Sequence, residues 1–225
     1  MKKRIVLLSS IMIIALFFVA GCDKKKEEEK PKKTGGYDYL VLVNKKNKLP
    51  DDWEEKVSLV TTKNAWNEKI QIETETFEQY KKLKKALAAE GITIELDSVY
   101  RSVKEQQKLW DEWSVEKGID YVTNYVAVPG YSEHHTGLAV DICLKIDGEL
   151  VYENDDMLKE EEIFAKIHEK LADYGFILRY LKGKDDFTGY SYEPWHLRYV
   201  GSVKVAKEIA EKGITLEEYL DSTKK

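Results

Sequence analysis

Cysteine is nearly absent from this chain. Only Cys22 and Cys143 occur in 225 residues, so no disulfide framework can staple the fold. Histidine is almost as scarce, with four in all, which makes the adjacent pair His134-His135 conspicuous. An excess of basic charge is missing too: 36 lysines and arginines face 41 acids, for a formal net charge of −5. That balance leaves nothing to drive counterion release from a phosphate backbone, so a nucleic-acid partner is not expected. No internal repeat is present. The apolar run from Ile5 to Ala20 would reach about 24 Å as a helix, short of the ~30 Å hydrocarbon core of a bilayer.

What that run does have is the layout of a secretory leader. Lys2, Lys3 and Arg4 precede it, and Val19-Ala20-Gly21-Cys22 closes it. The V-A-G-C ending resembles a bacterial lipobox, which implies that Cys22 is lipid-modified and becomes the mature N-terminus. Residues 1–21 are therefore expected to be a signal peptide, carrying three cations and no acid; without them the formal charge becomes −8. Residues 22–36, with "DKKKEEEKPKKTGG" after the lipidated Cys22, have nothing to bury and read as a flexible charged tether. Anchoring through the lipid would place the protein on the outer face of the cytoplasmic membrane. With Cys22 spent, Cys143 has no partner and reads as a small buried hydrophobe. Residues 37–225 suit one domain with a sizeable core.

Hydrophobic periodicity gives the coarse architecture. "YDYLVLV" reads as a short strand. Phe77, Tyr80, Leu83 and Leu87 fall at helical spacing, with Gly91 as the stop. "ITIELDSVY" alternates and reads as a strand. Ser102 and Glu105 form an S-x-x-E capping box that opens a helix through Leu109, Trp110 and Trp113. Both tryptophans are expected to pack rather than to bind a ligand. "GLAVDICLKIDGELVYE" predicts a hairpin turning at Asp147-Gly148. Its Leu138, Val140, Ile142 and Leu144 take one face, and Ala139, Asp141 and Cys143 the other. Ile163, Phe164, Ile167, Leu171 and Tyr174 line a further helix, with His168 at its border as a packed or surface histidine. "FILRY" and "PWHLRYV" predict strands, and "VKVAKEIAEKG" and "TLEEYL" closing helices. Strands and helices mix without a βαβ rhythm. The predicted fold is therefore α+β, one domain with a central antiparallel sheet and flanking helices.

Asp141 sits on a strand face beside two small residues, and a carboxylate there needs a partner or a cation. His134 lies seven residues before it. In an unbroken strand that odd separation points the two side chains apart, but Gly137 permits a bend that brings them together. "YEPWHLRYV" supplies His196, with Glu193 three residues earlier. Two imidazoles and one carboxylate make a three-ligand set with a fourth position open to water, the pattern of catalytic rather than structural zinc. Glu193 is the carboxylate placed to take a proton from water and pass it to a leaving amine. Spacing alone does not choose between His134 and His135, because Gly137 breaks the phase.

"SEHHTGLAVD" fits the pattern S-x-H-x-x-G-x-A-x-D, and "EPWH" fits E-x-x-H. Together they resemble the VanY-like D-alanyl-D-alanine carboxypeptidases, zinc enzymes that trim peptidoglycan stem peptides. The likeness runs from near Leu40 to near Leu220. It implies that His134, Asp141 and His196 bind Zn2+, that Glu193 is the catalytic acid/base, and that His135 is not a ligand. It also implies that Ser132 lies near the substrate and that Arg101 and Gln106 of "YRSVKEQ" hold it. Val99 departs from the pattern, which often has glycine before Y-R-S, and this puts the shape of the neighbouring turn in question. Independently of the family, a guanidinium fork is the group that recognises a free terminal carboxylate; the competing role for Arg101 is a structural salt bridge.

These residues predict a monomeric zinc carboxypeptidase that removes D-alanine from stem tetrapeptides (L,D-cleavage) or pentapeptides (D,D-cleavage). The alternatives are a peptidoglycan endopeptidase and a zinc-containing, non-catalytic wall-binding lipoprotein.

Overall fold

The computed structural model describes residues 37–224. The leader, Cys22 and the charged tether lie outside the described residues. Among the described residues no helix is long and apolar enough to cross a membrane.

The chain first lays down a two-stranded ribbon, β1 (Leu59–Lys63) and β2 (Lys69–Glu73), which leads into α1 (Thr74–Ala89). The Glu73 carboxylate caps α1 by accepting from the backbone N–H groups of Glu75 and Thr76. β3 (Ile94–Leu96), α2 (Val103–Glu116) and α3 (Ile119–Tyr125) follow. Next come β4 (Ala139–Ile146) and β5 (Glu149–Val151), joined through Asp147-Gly148, and then α4 (Asn154–Met157) and α5 (Glu161–Leu171). β6 (Phe176–Tyr180), α6 (Asp185–Thr188), β7 (Glu193–Tyr199), α7 (Val203–Lys212) and α8 (Leu216–Thr223) complete the chain.

The main sheet is antiparallel, in the order β3-β4-β7-β6, with β5 paired to the far part of β4. One face of this sheet is the main core. Val140, Ile142, Leu144, Leu197 and Tyr199 point into it, against Leu83 and Leu87 of α1 and Phe164 and Ile167 of α5. The predicted α+β domain with a central antiparallel sheet and flanking helices is the fold observed. A second cluster packs Val205, Ala206 and Ile209 of α7 and Leu216 of α8 against Ile177 of β6. Fully burying each aliphatic side chain of these clusters contributes about 1.5–3 kcal/mol.

The capping box at Ser102 and Glu105 forms as expected, with both reciprocal hydrogen bonds present. Several elements escaped the periodicity, α4, α6, the β1–β2 ribbon and α3. The β1–β2 ribbon is closed by the Asn64 side chain, whose Oδ1 accepts from the N–H groups of Trp66 and Glu68. α3 is short and bounded by Gly118. In the other direction, "YDYLVLV" buries Tyr37, Tyr39 and Val43 but forms no strand. Its Tyr39 and Val41 carbonyls accept from the Arg198 guanidinium instead of a ladder, which satisfies the backbone by another route.

Candidate metal centre and active-site cleft

Three pieces of chain build the site. Asp141 of β4 stands directly opposite His196 of β7 in the antiparallel register, with Ala139 opposite Arg198 two pairs away. His134 comes from a 3₁₀ turn, Glu133–Thr136, capped by the Ser132 hydroxyl. That turn ends at Gly137 with φ +70°, the bend expected from the sequence. A Cβ there would lie 3.1 Å from Cβ and 3.2 Å from the backbone nitrogen of Glu73. Glycine thus admits both the left-handed backbone and the close approach of the α1 cap.

The three side chains offer ligand atoms that all lie within 4.8 Å of one another. His134 donates from Nδ1 to the Val99 carbonyl at 2.6 Å, so in the neutral ring Nε2 carries a lone pair. That lone pair faces Asp141 Oδ2 at 3.1 Å, an arrangement that requires either a second proton or a cation between them. Asp141 Oδ1 lies 2.9 Å from Nδ1 of His196, yet it is buried and accepts no hydrogen bond. A buried acceptor left without a hydrogen bond, converging with two imidazole nitrogens, fits a divalent cation of zinc type. Without the ion, Asp141 and His196 hold each other charged. Burial opposes ionisation of Asp141, but His134 and His196 keep its carboxyl well below the usual range. Burial likewise opposes protonation of His196, but Asp141 pushes it up to about 10.

Glu193 opens β7 with its side chain 30% exposed, 3.8 Å from Nδ1 of His196. Burial in the cleft pushes its carboxyl up to about 7; His196 opposes the shift, and Asp141 and Glu133 reinforce it. A carboxyl poised near neutrality beside a metal position is suited to general acid–base work. The β6–β7 register slips between Leu178 and Tyr180, where three residues of β7, Pro194, Trp195 and His196, face one of β6, and Glu193 lies at the end of this bulge.

The cleft holds about 350 Å³ and is lined by the ligand set together with Arg101, Ser132, Glu193 and Trp113. Trp113, expected only to pack, forms part of this wall. Arg101 donates to Gln106 Oε1 at 2.8 Å and to Ser98 Oγ at 2.9 Å. Among the described residues, no carboxylate makes an ion pair with it, so the salt-bridge role is not what the structure shows. Gln106 is fully buried, and its amide nitrogen donates to the Ala127 carbonyl at 2.8 Å. Both ends of Gln106 are therefore committed to fixing Arg101 and the loop after α3. His135, the competitor of His134, donates from Nδ1 to the Arg101 carbonyl and accepts the Gly130 N–H at Nε2. With both nitrogens used, it braces the Arg101 segment and has none left for a metal.

Val99 leaves the turn unstrained. It is absent from the residues with positive φ, its side chain joins the main core, and its carbonyl orients His134. His168 packs on Phe164 and donates to the Pro194 carbonyl at 2.9 Å. Cys143 is free and buried. Sequence reasoning passed over Glu133, which is 1% exposed and ion-paired to Arg179 and Arg198 at 2.7 Å each. Burial opposes its ionisation, but the two guanidiniums hold its carboxyl well below the usual range. Its signal was indirect: two arginines stand inside otherwise apolar strands and need a buried anion.

A family model described as VanY, D-alanyl-D-alanine carboxypeptidase, matches residues 69–202. A bifunctional D-Ala-D-Ala dipeptidase and D-Ala-D-Ala carboxypeptidase of Enterococcus gallinarum is 38% identical over 156 residues, covering 68% of this chain and 78% of the relative. The solved structure of the LdcB LD-carboxypeptidase superposes with a TM-score of 0.67 at 35% identity, covering 85% of this chain and 93% of that one. A vancomycin-resistance D,D-pentapeptidase VanY variant, solved in complex with Zn(II), superposes with a TM-score of 0.65 at 31% identity, covering 81% and 98%. The match spans the sheet, the turn before β4 and the cleft residues of β7, and the chain belongs to the VanY D-alanyl-D-alanine carboxypeptidase family.

Proposed function

We propose that this protein is a zinc-dependent carboxypeptidase that removes the C-terminal D-alanine from peptidoglycan stem peptides. The observation that carries the reading is Arg101, a part-buried guanidinium with no carboxylate in ion-pair contact, in the same cleft as the ligand set and Glu193. A guanidinium lining the cleft in that position is placed to take an anion from the substrate, and a free C-terminal carboxylate supplies one with matching fork geometry.

His134, Asp141 and His196 would hold zinc, which supplies Lewis acidity toward water and toward a carbonyl oxygen. Arg101, locked by Ser98 and Gln106, receives the terminal carboxylate and so sets which peptide bond reaches the site. Ser132 lies on the cleft wall with its hydroxyl turned to the His134 N–H. Glu193 takes the proton from the attacking water and delivers it to the nitrogen of the departing D-alanine. Tyr180 packs its ring 4.7 Å from that of His196 and helps to exclude solvent from the ligand set.

The test is incubation of the zinc-loaded protein with stem tetrapeptides and pentapeptides, followed by mass spectrometry. Loss of one alanine from the tetrapeptide alone assigns L,D-cleavage, and from the pentapeptide alone D,D-cleavage. Intact peptides with zinc bound would overturn the reading.

We also propose, from the leader-like residues 1–21, that Cys22 carries lipid and holds the enzyme at the outer face of the cytoplasmic membrane, with residues 22–36 as tether. Metabolic labelling with an alkynyl fatty acid should mark the protein, and Cys22→Ser should abolish the label. A label that survives the substitution would contradict the anchor.

A further inference from the structure

We propose that Glu133 is a positioning residue for the metal site: its Oε2 receives the Nε2–H of His196 and so turns Nδ1 of that ring toward Asp141. The proposal rests on His134, Asp141 and His196 being the zinc ligands.

The geometry leaves Glu133 one orientation. Its Oε1 accepts from Arg179 Nε and from Arg198 Nη1, each at 2.7 Å. Neither guanidinium is free to move. Arg179 forks onto Glu217 of α8 at 2.9 and 2.7 Å. Arg198 donates from Nη2 to the Tyr39 and Val41 carbonyls, and from Nε to the Tyr199 carbonyl at 3.1 Å. With Oε1 saturated, Oε2 points at Nε2 of His196, 3.4 Å away. The opposite nitrogen of the same ring is the one 2.9 Å from Asp141 Oδ1. The ring therefore lies between two carboxylates, one that belongs to the ligand set and one that does not, and the hydrogen bond is on the Glu133 side.

Stability alone does not account for this arrangement. A buried ion cluster can be replaced by well-packed apolar side chains with little or no loss of stability. What an apolar replacement could not do is accept from an imidazole N–H, which fixes the tautomer and raises the basicity of the ligating nitrogen. The cluster also joins the segment at Tyr39–Val41 and helix α8 to the metal site, so both ends of the described chain brace one ligand.

The experiment is a zinc-affinity measurement on the full-length protein, by competition with a chromophoric chelator, together with the absorption spectrum of the cobalt-substituted form. Glu133→Gln should weaken zinc by about 10–100-fold and shift the cobalt spectrum. Glu217→Gln, which removes the charge that Arg179 forks onto and that Asn44 also contacts but does not touch Glu133, should lower the melting temperature and leave zinc affinity within about two-fold of wild type. Folded Glu133→Gln protein with wild-type affinity and spectrum would overturn the proposal. So would equal weakening of zinc by both variants.

Should Glu133→Gln fail to fold, the zinc-loaded wild type gives the answer by NMR. The expected result is a slowly exchanging proton on Nε2 of His196; a ring metallated at Nε2 would overturn the proposal. Failure of the wild type itself to bind zinc would refute the ligand assignment instead, so the two outcomes are distinct.

Discussion

Asp141 and His196 face each other across the β4–β7 ladder, with Oδ1 of one 2.9 Å from Nδ1 of the other. Because both residues are fixed by backbone register, the metal position is a property of the sheet rather than of a loop. His134 is then added by the bend at Gly137.

Removal of the metal should therefore leave the fold intact but weaker. Chelation is expected to lower the unfolding free energy by about 3–4 kcal/mol relative to protein in zinc at 100–1,000 times its dissociation constant. Calorimetry with and without zinc checks this. An unchanged melting temperature, with activity retained in chelator, would contradict the metal site.

Glu193→Gln should lower kcat by about 10²–10⁴-fold, the range for loss of a positioned proton-transfer group. Zinc content should remain at one per chain, because Glu193 lies outside the ligand set. Steady-state rates and metal analysis on the same preparation decide the matter; substantial turnover would remove Glu193 from its role.

Arg101→Lys should keep the positive charge and lose the fork. A reduction in kcat/KM of about 10–150-fold is expected, corresponding to ~1.5–3 kcal/mol for a charge-assisted hydrogen bond. The loss should fall on peptides with a free C-terminus, with zinc affinity unaltered. Kinetics equal to wild type would return Arg101 to a structural role.

Gly137→Ala tests the bend. The new Cβ would sit 3.1 Å from Glu73 Cβ in a backbone with φ +70°, at a cost of about 1–3 kcal/mol. Denaturant unfolding measures the loss, and chelator competition should show weaker zinc because His134 lies on the same turn. A neutral effect on both would mean that the turn tolerates a side chain.

His168 gives a pH dependence away from the metal. Burial holds its pKa below the ordinary 6.5, against a smaller opposing effect of the Pro194 carbonyl. The unfolded chain therefore binds the proton more readily. His168 contributes stability that is fully present above pH 6.5 and lost as pH falls through the folded value, with a slope approaching ~1.4 kcal/mol per pH unit. The difference in unfolding free energy between wild type and His168→Gln should shrink from about pH 7.5 to about pH 5. A flat difference would show the ring to be protonated or solvated in the folded state.

Much of this site was legible in the sequence because its chemistry is local. His134, Gly137 and Asp141 occupy one stretch, and His196 and Glu193 another, and each spacing carries a geometric consequence. The hairpin and the capping box at Ser102 were readable for the same reason, since apolar alternation and cap chemistry act over a few residues. What escaped was set by distant partners. "YDYLVLV" has the composition of a strand, yet Arg198 takes its carbonyls, more than 150 positions away in the chain. Gln106 reads as a substrate contact, and only the fold shows that its amide also engages Arg101 and the Ala127 carbonyl. Glu133 occupies a variable position of its motif, and only the fold brings Arg179 and Arg198 to it.

The central claim is that the cleft recognises a free terminal carboxylate and releases a single residue. The most direct measurement compares zinc-loaded protein acting on a stem peptide as the free acid and as its C-terminal amide, for both the tetrapeptide and the pentapeptide. The account predicts release of D-alanine from at least one free acid and a rate on the matching amide lower by at least an order of magnitude, about the loss of one charge-assisted contact. Equal rates on acid and amide would contradict it and make the enzyme an endopeptidase.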